Sequence, residues 1–168
     1  MSIKTNLPDT AKNNSFASNK KGKFFSTKKF GPISTTHRQW RHTGHCKYLH
    51  GYARTVQLIF TCNKLDEMGF CVDFGSLKQV KEWLYQQWDH KCLLSHDDPL
   101  LEEFKTLEKK GGLSLNILPK EYGPTIELSC KYIYDNINPI ILKNSNNRCW
   151  ISSIEVWEHN INSAIYQA

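Results

Sequence analysis

The sequence lacks any long uncharged apolar run, and none approaches the about 18 residues that a membrane-spanning helix needs. Its N-terminus, rich in Asn, Ser and Lys, also lacks the apolar middle segment of a signal peptide. The six cysteines form no CxxC pair, and a chain of 168 residues is large enough to fold without disulfides. These absences predict a cytoplasmic protein that uses no membrane and keeps its cysteines reduced.

A basic binding face is also missing from most of the chain. The net charge is +6, but residues 1–30 hold seven Lys and one Asp. The remaining residues therefore carry 15 basic and 15 acidic side chains, so the excess positive charge belongs to the N-terminal segment. We do not expect the folded body to bind nucleic acid.

The chain divides into a tail and one domain. Residues 1–23 combine Lys, Asn, Ser, Pro and Gly with few large apolar residues, so burial cannot offset their ordering entropy. Over the whole chain, hydrophobic residues make up 39% and aromatic residues 12%, which is enough for a sizeable core. We predict a flexible tail over 1–23 and a folded domain over 24–168.

Hydrophobic periodicity predicts an α+β fold with helices on one face of a sheet. Alternation is clearest where Val56, Leu58 and Phe60 share one side of a strand. Thr125 is a good N-cap for a helix that we expect to stop before Asn138-Pro139, because proline interrupts helices. The predicted strands cover 24–37, 52–62, 70–74, 113–118 and 149–158, and the predicted helices cover 76–88, 99–110 and 126–137.

Histidines are concentrated in one polar loop. His37, His42, His45 and His50 lie within 14 positions, with Cys46 among them. Because His37 ends one predicted strand and His50 begins the next, a hairpin-like return brings these imidazoles together, as a transition-metal site requires. Taken singly, each of these residues is equally consistent with a solvated loop.

Six short motifs follow one another in order over residues 30–160. They are TTH at 35–37, CKYLHGY at 46–52, GFCVDFGSLK at 69–78, WDHKCL at 88–93, PTIE at 124–127 and VWE at 156–158. The series resembles the family of 6-pyruvoyl tetrahydropterin synthase and 6-carboxy-tetrahydropterin synthase, whose pattern reads approximately AAH, CxxxHGH, GMVxDFxxLK, LDHxxL, PTxE and VxE. Each motif alone is weak, but the ordered series is specific.

The resemblance implies a T-fold, in which a four-stranded antiparallel sheet carries two main helices on one face. Three subunits close a barrel, and two such rings stack. It therefore implies a homo-oligomer, trimer or hexamer, with active sites between subunits. Barrel closure of this kind leaves no exposed sheet edge.

By position, the resemblance assigns zinc binding to His37 and His50. Cys46 matches the catalytic thiol, and Asp89 with His90 matches its relay partners. Taken alone, Asp89-His90 is more typical of a helix C-terminus, where a histidine meets the helix dipole and the aspartate is solvated.

The substrate contacts follow from the same resemblance. Glu158 matches the carboxylate that holds the pterin, and Glu127 sits where the PTxE helix supports the site. Arg38, with Arg41 and Arg54, is expected nearer the triphosphate, although ordinary surface arginines are an equally good interpretation.

Tyr52 departs from the family pattern, because HGH is HGY here. Tyr52 stands where the third zinc histidine belongs and shares a strand face with His50. Zinc acidifies bound oxygen, so a phenolate is one candidate ligand. His45 or His42 is another source of the third nitrogen, and the remaining alternative is a site without metal.

The resemblance implies a lyase that acts on 7,8-dihydroneopterin triphosphate with zinc as its cofactor. Its product is 6-carboxy-5,6,7,8-tetrahydropterin, on the 7-deazaguanine (queuosine) route, or 6-pyruvoyl-tetrahydropterin. A second hypothesis is a non-catalytic pterin- or purine-binding adaptor that has lost zinc. An insert at about 95–122 is a further departure, expected to reshape the substrate entrance.

Overall fold

The structure, a computed structural model, describes residues 22–168, so nearly all of the predicted tail over 1–23 lies outside the described residues. No described helix is both long and apolar enough to cross a membrane. The strands are β1 (Phe25–His37), β2 (His50–Cys62), β3 (Lys91–Ser95), β4 (Leu115–Leu118), β5 (Cys149–Trp157) and β6 (Ser163–Gln167). The α-helices are α1 (Lys78–Trp88), α2 (Leu101–Lys109) and α3 (Ile126–Asn144), and short 3₁₀ turns cover His45–Lys47 and Phe74–Leu77.

The described strands form one six-stranded sheet in the order β4-β3-β1-β2-β5-β6. Four of them, β1, β2, β5 and β6, pair antiparallel, as the resemblance implies. The expectation of four strands in all was wrong, because β3 and β4 extend the sheet beyond β1 in parallel pairing. A helical crossover makes this possible, since α2 carries the chain from β3 back to the start of β4. Residues 70–74, predicted as a strand, lie outside the sheet.

The core lies between the sheet and the helices α1 and α3. Val56, Leu58 and Phe60 are fully buried on one side of β2, which confirms the predicted alternation. They belong to one cluster with Trp88 of α1 and Ile137 of α3. Burial of such large side chains is the main stabilising contribution to the fold.

The insert folds as a small second layer. Cys92 and Leu94 of β3 pack with Phe104 of α2, whereas Leu93 between them belongs to the main core. Because neighbouring residues of a strand point to opposite faces, α2 covers the side of β3 that α1 and α3 leave open. Residues 95–122 therefore extend and cover the sheet edge.

Helix α3 does not stop at Asn138-Pro139, so that prediction was wrong. Thr125 caps its start as predicted, because its Oγ1 accepts a hydrogen bond from the Leu128 amide. The helix continues to Asn144 because Ile141 is buried one turn further on. In addition, the Asn138 Oδ1 accepts a hydrogen bond of 2.9 Å from the Ile151 amide of β5. Tertiary contacts here outweigh the hydrogen bond that proline removes.

Replacing Pro139 by alanine is expected to stabilise the protein. Pro139 is exposed inside α3, so alanine restores a backbone hydrogen bond without disturbing the core. Alanine also leaves the unfolded chain more conformational freedom than proline does, which offsets part of this gain. The free energy of unfolding should therefore rise by about 1–2 kcal/mol. Urea unfolding measures this change. Pro119→Ala, in the exposed segment after β4, is the matched control and should bring no gain; a lower stability of Pro139→Ala would contradict the prediction.

Candidate functional site

The site lies at the end of the β1–β2 hairpin. His37, the last residue of β1, is paired with His50, the first residue of β2. Their rings lie 4.3 Å apart between centroids, and the Tyr52 ring lies 5.9 Å from His37 and 5.6 Å from His50. The predicted meeting of the two imidazoles is confirmed.

Gly51 allows the two strands to approach closely at this point. A Cβ atom at position 51 would lie 2.8 Å from the Thr35 carbonyl oxygen of β1, closer than real Cβ atoms come. The glycine between His50 and Tyr52 therefore permits both side chains to project from the same face of a tightly paired strand.

His50 has a fixed ring orientation. Its Nδ1 lies 2.6 Å from the Tyr48 carbonyl oxygen, and since a carbonyl only accepts, Nδ1 carries the proton. The lone pair of His50 is therefore on Nε2. This arrangement, with a backbone carbonyl holding Nδ1–H, is typical of a histidine that presents Nε2 to a ligand.

His37 is in a different environment because Arg54 lies beside it. Arg54 is fully buried, and its Nη2 lies 3.3 Å from both ring nitrogens of His37. The same Nη2 donates to the Pro124 carbonyl oxygen at 2.9 Å, and Nη1 donates to the Ser129 hydroxyl at 3.2 Å. Burial, then the charge of Arg54 and then His50, lower the pKa of His37 to about 3, so His37 is neutral near pH 7.

Arg54 itself keeps its positive charge. Burial lowers its pKa to about 10, and the nearby charge of Glu158 opposes this change most strongly. Among the ion pairs of the described residues, none includes Arg54. Its Nε has no hydrogen-bond partner within the part of the chain that the structure describes. The interpretation of Arg54 as an ordinary surface arginine was therefore wrong.

A cleft of about 560 Å³ opens in front of these rings. The exposed Cys46 lines it from the His-rich loop. Other lining residues that the sequence had singled out are His37, His42, His50, Tyr52, Glu127 and Glu158. The structure thus brings together most of the site residues that the motifs predicted.

Glu158 lines this cleft and directly follows β5. Its Oε1 is 3.9 Å from His37 Nε2, and its side chain is 19% exposed. The contact is too long for a hydrogen bond, and a neutral His37 forms no ion pair. The carboxylate therefore keeps its acceptor capacity for a ligand.

Asp89 and His90 do not line the cleft. The Ser34 amide donates to Asp89 Oδ1 at 3.3 Å, and the His90 amide donates to the Ser34 carbonyl at 2.7 Å. Both contacts use backbone atoms of Ser34, at the edge of β1 that pairs with β3. His90 Nδ1 lies 3.1 Å from Asp89 Oδ2, and the His90 side chain is 81% exposed.

The arginines of the His-rich loop are held by the insert. Arg38 Nε lies 3.2 Å from Asp98 Oδ2, and Arg41 pairs with Asp97. Neither arginine lines the cleft. The insert therefore positions the loop that carries Cys46, and a role of Arg38 in substrate binding stays a prediction.

The donor set does not fit the zinc ion that the resemblance implies. Among the described residues, no three His, Cys, Asp or Glu side chains cluster as metal ligands. A structural or catalytic zinc needs at least three protein ligands with free lone pairs. His50 offers one, but the buried guanidinium of Arg54 lies against the ring of His37 and repels a cation there. His42 lines the cleft and His45 does not, so zinc binding stays a prediction from the resemblance.

The sequence analysis missed one aromatic neighbour of the site. His159 lies in the loop after β5, and its ring centroid is 5.7 Å from that of Tyr52. Its Nδ1 accepts a hydrogen bond from the Ile161 amide at 3.1 Å. His159 directly follows Glu158 of the VWE motif, so its place next to a predicted site residue could have identified it from the sequence.

Comparisons with known proteins agree with the motif series. The family model described as 6-pyruvoyl tetrahydropterin synthase matches residues 27–168. A 6-carboxy-5,6,7,8-tetrahydropterin synthase of Rickettsia felis is 28% identical over 123 residues, 73% of this chain and 85% of the relative. The Aquifex aeolicus protein of the same name is 30% identical over 90 residues, 54% of this chain and 55% of the relative. The crystal structure of 6-pyruvoyl tetrahydropterin synthase from Plasmodium vivax, 18% identical, superposes with a TM-score of 0.61 over 86% of this chain and 98% of that one.

Proposed function

Because the chain belongs to the 6-pyruvoyl tetrahydropterin synthase family and has its T-fold, we propose that it converts 7,8-dihydroneopterin triphosphate to 6-carboxy-5,6,7,8-tetrahydropterin. The names of the curated relatives support this product over 6-pyruvoyl-tetrahydropterin. The observation that carries the proposal is the cleft in which an exposed thiol, Cys46, lies together with Glu158, whose carboxylate accepts no hydrogen bond from residues 22–168.

Glu158 is proposed to hold the pterin ring. A carboxylate that accepts two hydrogen bonds, from a ring N–H and from the 2-amino group, forms a charge-assisted bidentate grip. The backbone supports this role, because the Glu158 amide donates to the Asn162 carbonyl oxygen at 3.1 Å and so fixes the loop after β5.

Cys46 is proposed as the base that takes a proton from the substrate side chain. The reactive form is the thiolate, and it is favoured near positive charge. Cys46 lies in the 3₁₀ turn His45–Lys47, and its carbonyl oxygen accepts a hydrogen bond of 2.8 Å from the Gln39 amide. This contact closes the loop and holds the thiol at the cleft.

Asp89 and His90 are proposed to complete the site of a neighbouring subunit. Within one chain they contact the backbone of Ser34 and do not line the cleft, and the His90 ring is exposed. A carboxylate that fixes an imidazole is a common acid–base pair, and here it has no partner in its own cleft. We therefore propose a homo-oligomer, a trimer or hexamer, whose active sites form between subunits.

Mixing two inactive variants tests this arrangement. Cys46→Ala and Asp89→Asn should each be inactive as purified oligomers. After joint unfolding and refolding, mixed oligomers contain some intact sites and should regain part of the wild-type turnover. Product formation is followed by chromatography, and sedimentation gives the oligomeric state.

The control is a mixture of two variants from the same group, Asp89→Asn with His90→Ala, which should stay inactive. A monomer with full turnover would contradict the shared site, and so would a Cys46→Ala and Asp89→Asn mixture without recovery. If wild-type protein binds the substrate but releases no product, the enzyme proposal itself fails.

The second candidate function is pterin or purine binding without turnover. The contact between Arg54 and His37 favours it, because the buried positive charge of Arg54 opposes a metal ion beside His37. Calorimetric titration with a pterin and product analysis of the same sample separate the two candidates. Tight binding without product supports the second.

A further inference from the structure

Arg54 meets His37 in a way that determines what the site is able to bind. A neutral imidazole has one lone pair, on the nitrogen without a proton, and a guanidinium has donors only. Nη2 of Arg54 lies 3.3 Å from both His37 nitrogens. An atom at this distance from both nitrogens lies over the face of the ring and outside the plane of its lone pair, so Arg54 places a fixed positive charge against His37.

Arg54 cannot easily move away. It is fully buried, and it is held by the Pro124 carbonyl and the Ser129 hydroxyl. Its guanidinium also lies 5.4 Å from the centre of the Trp88 ring, a distance at which the ring face attracts a cation. A divalent ion bound beside His37 would meet this fixed charge where water screens it little.

We propose that Arg54 takes the place of the metal at this site: its fixed positive charge against the His37 ring excludes a divalent cation and supplies positive charge beside the cleft. The inference rests on the proposed function for the identity of the ligand. The ligand group that this charge attracts is a side-chain oxygen of the pterin, a hydroxyl or carbonyl.

The position of Glu158 agrees with this arrangement. Its Oε1 lies 3.9 Å from His37 Nε2, and both residues line the cleft. Arg54, His37 and Glu158 thus place a cation, an imidazole and a carboxylate side by side, and together these groups can bind a polar ligand without a metal ion. Tyr52 agrees with this arrangement, because it supplies a hydroxyl in place of a third imidazole.

Zinc titration of four proteins tests the proposal. Each is dialysed against a chelator and titrated with zinc chloride by calorimetry, and bound zinc is then measured by mass spectrometry. The wild type and Tyr52→His should bind no stoichiometric zinc, because Arg54 is present in both. Arg54→Gln combined with Tyr52→His supplies a third nitrogen and removes the positive charge against His37, so zinc affinity should rise about 10- to 100-fold over Tyr52→His.

The fourth protein is the matched control, Arg148→Gln combined with Tyr52→His. Arg148 donates to the Lys64 and Phe70 carbonyl oxygens at the far end of the sheet, so the control should stay without zinc. Arg54→Met in the Tyr52→His background replaces the glutamine variant if that variant does not fold. A gain of metal affinity is not a result that general destabilisation produces.

Stoichiometric zinc in the wild type or in Tyr52→His overturns the inference. A failure of both neutral Arg54 variants to gain zinc also overturns it. Turnover in the presence of a chelator separates this outcome from the proposed function. If turnover requires added zinc, the enzyme proposal is supported and the inference about Arg54 is wrong. If the protein shows no turnover and binds no zinc, the inference is supported and the enzyme proposal is wrong.

Discussion

Cys46→Ala is expected to abolish turnover while the pterin still binds. If the thiolate is the base, the variant lacks the group that accepts the substrate proton. Loss of a general base lowers the rate of turnover by about 10²–10⁴-fold. Alanine removes one sulfur atom from an exposed 3₁₀ turn, so the fold and the cleft should persist. Single-turnover kinetics with 7,8-dihydroneopterin triphosphate and calorimetric binding of the same pterin measure the two effects separately.

Cys62→Ala is the control for this experiment. Cys62 ends β2, at the opposite end of the strand from His50, and its replacement should leave the rate unchanged. Cys46→Ser adds a graded test, because a hydroxyl is a much weaker acid than a thiol and should recover little activity. Near-normal turnover of Cys46→Ala would assign the base role to another residue.

The hairpin part of the site was predictable because its geometry is local. Strand pairing places His37 opposite His50, and a strand period of two places Tyr52 on the same face as His50. Both properties follow from the sequence once the strands are assigned. The catalytic roles of these residues stay predictions, whereas their meeting is confirmed.

Arg54 shows a signal that was present but was given the wrong meaning. It lies two positions before Val56 and four before Leu58, in phase with the buried side of β2. Periodicity alone therefore places it in the core, but buried arginines are rare enough that its charge suggested the surface. The contact that decides its role, with His37, depends on the β1–β2 register.

Other features depend on contacts that no local pattern contains. Asp97 and Asp98 hold Arg41 and Arg38 of the His-rich loop from 56 and 60 residues further along the chain. The strand β3 has only five residues, and its parallel pairing with β1 requires the chain to cross the sheet through α1. Such pairings are set by how the completed layers pack, which explains why the sequence analysis expected a smaller sheet.

Glu158→Gln is expected to weaken pterin binding strongly. The amide has one acceptor oxygen and presents N–H donors where the ring also presents donors, so one hydrogen bond is lost and one polar group is left without a partner. The cost should be about 2–4 kcal/mol, or a ~30- to ~1000-fold higher Kd. Glu155→Gln on the same β5 is the matched control, because Glu155 accepts from the Ser163 hydroxyl and does not line the cleft.

A pterin analogue shows whether Glu158 reads the 2-amino group itself. Lumazine carries an oxygen at that position, which would repel the carboxylate and remove one of the two hydrogen bonds. Wild-type protein should therefore prefer the pterin over the lumazine, while Glu158→Gln, with one donor and one acceptor, should lose most of that preference. The difference between the two preferences is a coupling between residue and ligand group, and it does not depend on how much the variant is destabilised. An unchanged preference in Glu158→Gln would mean that a different group holds the pterin.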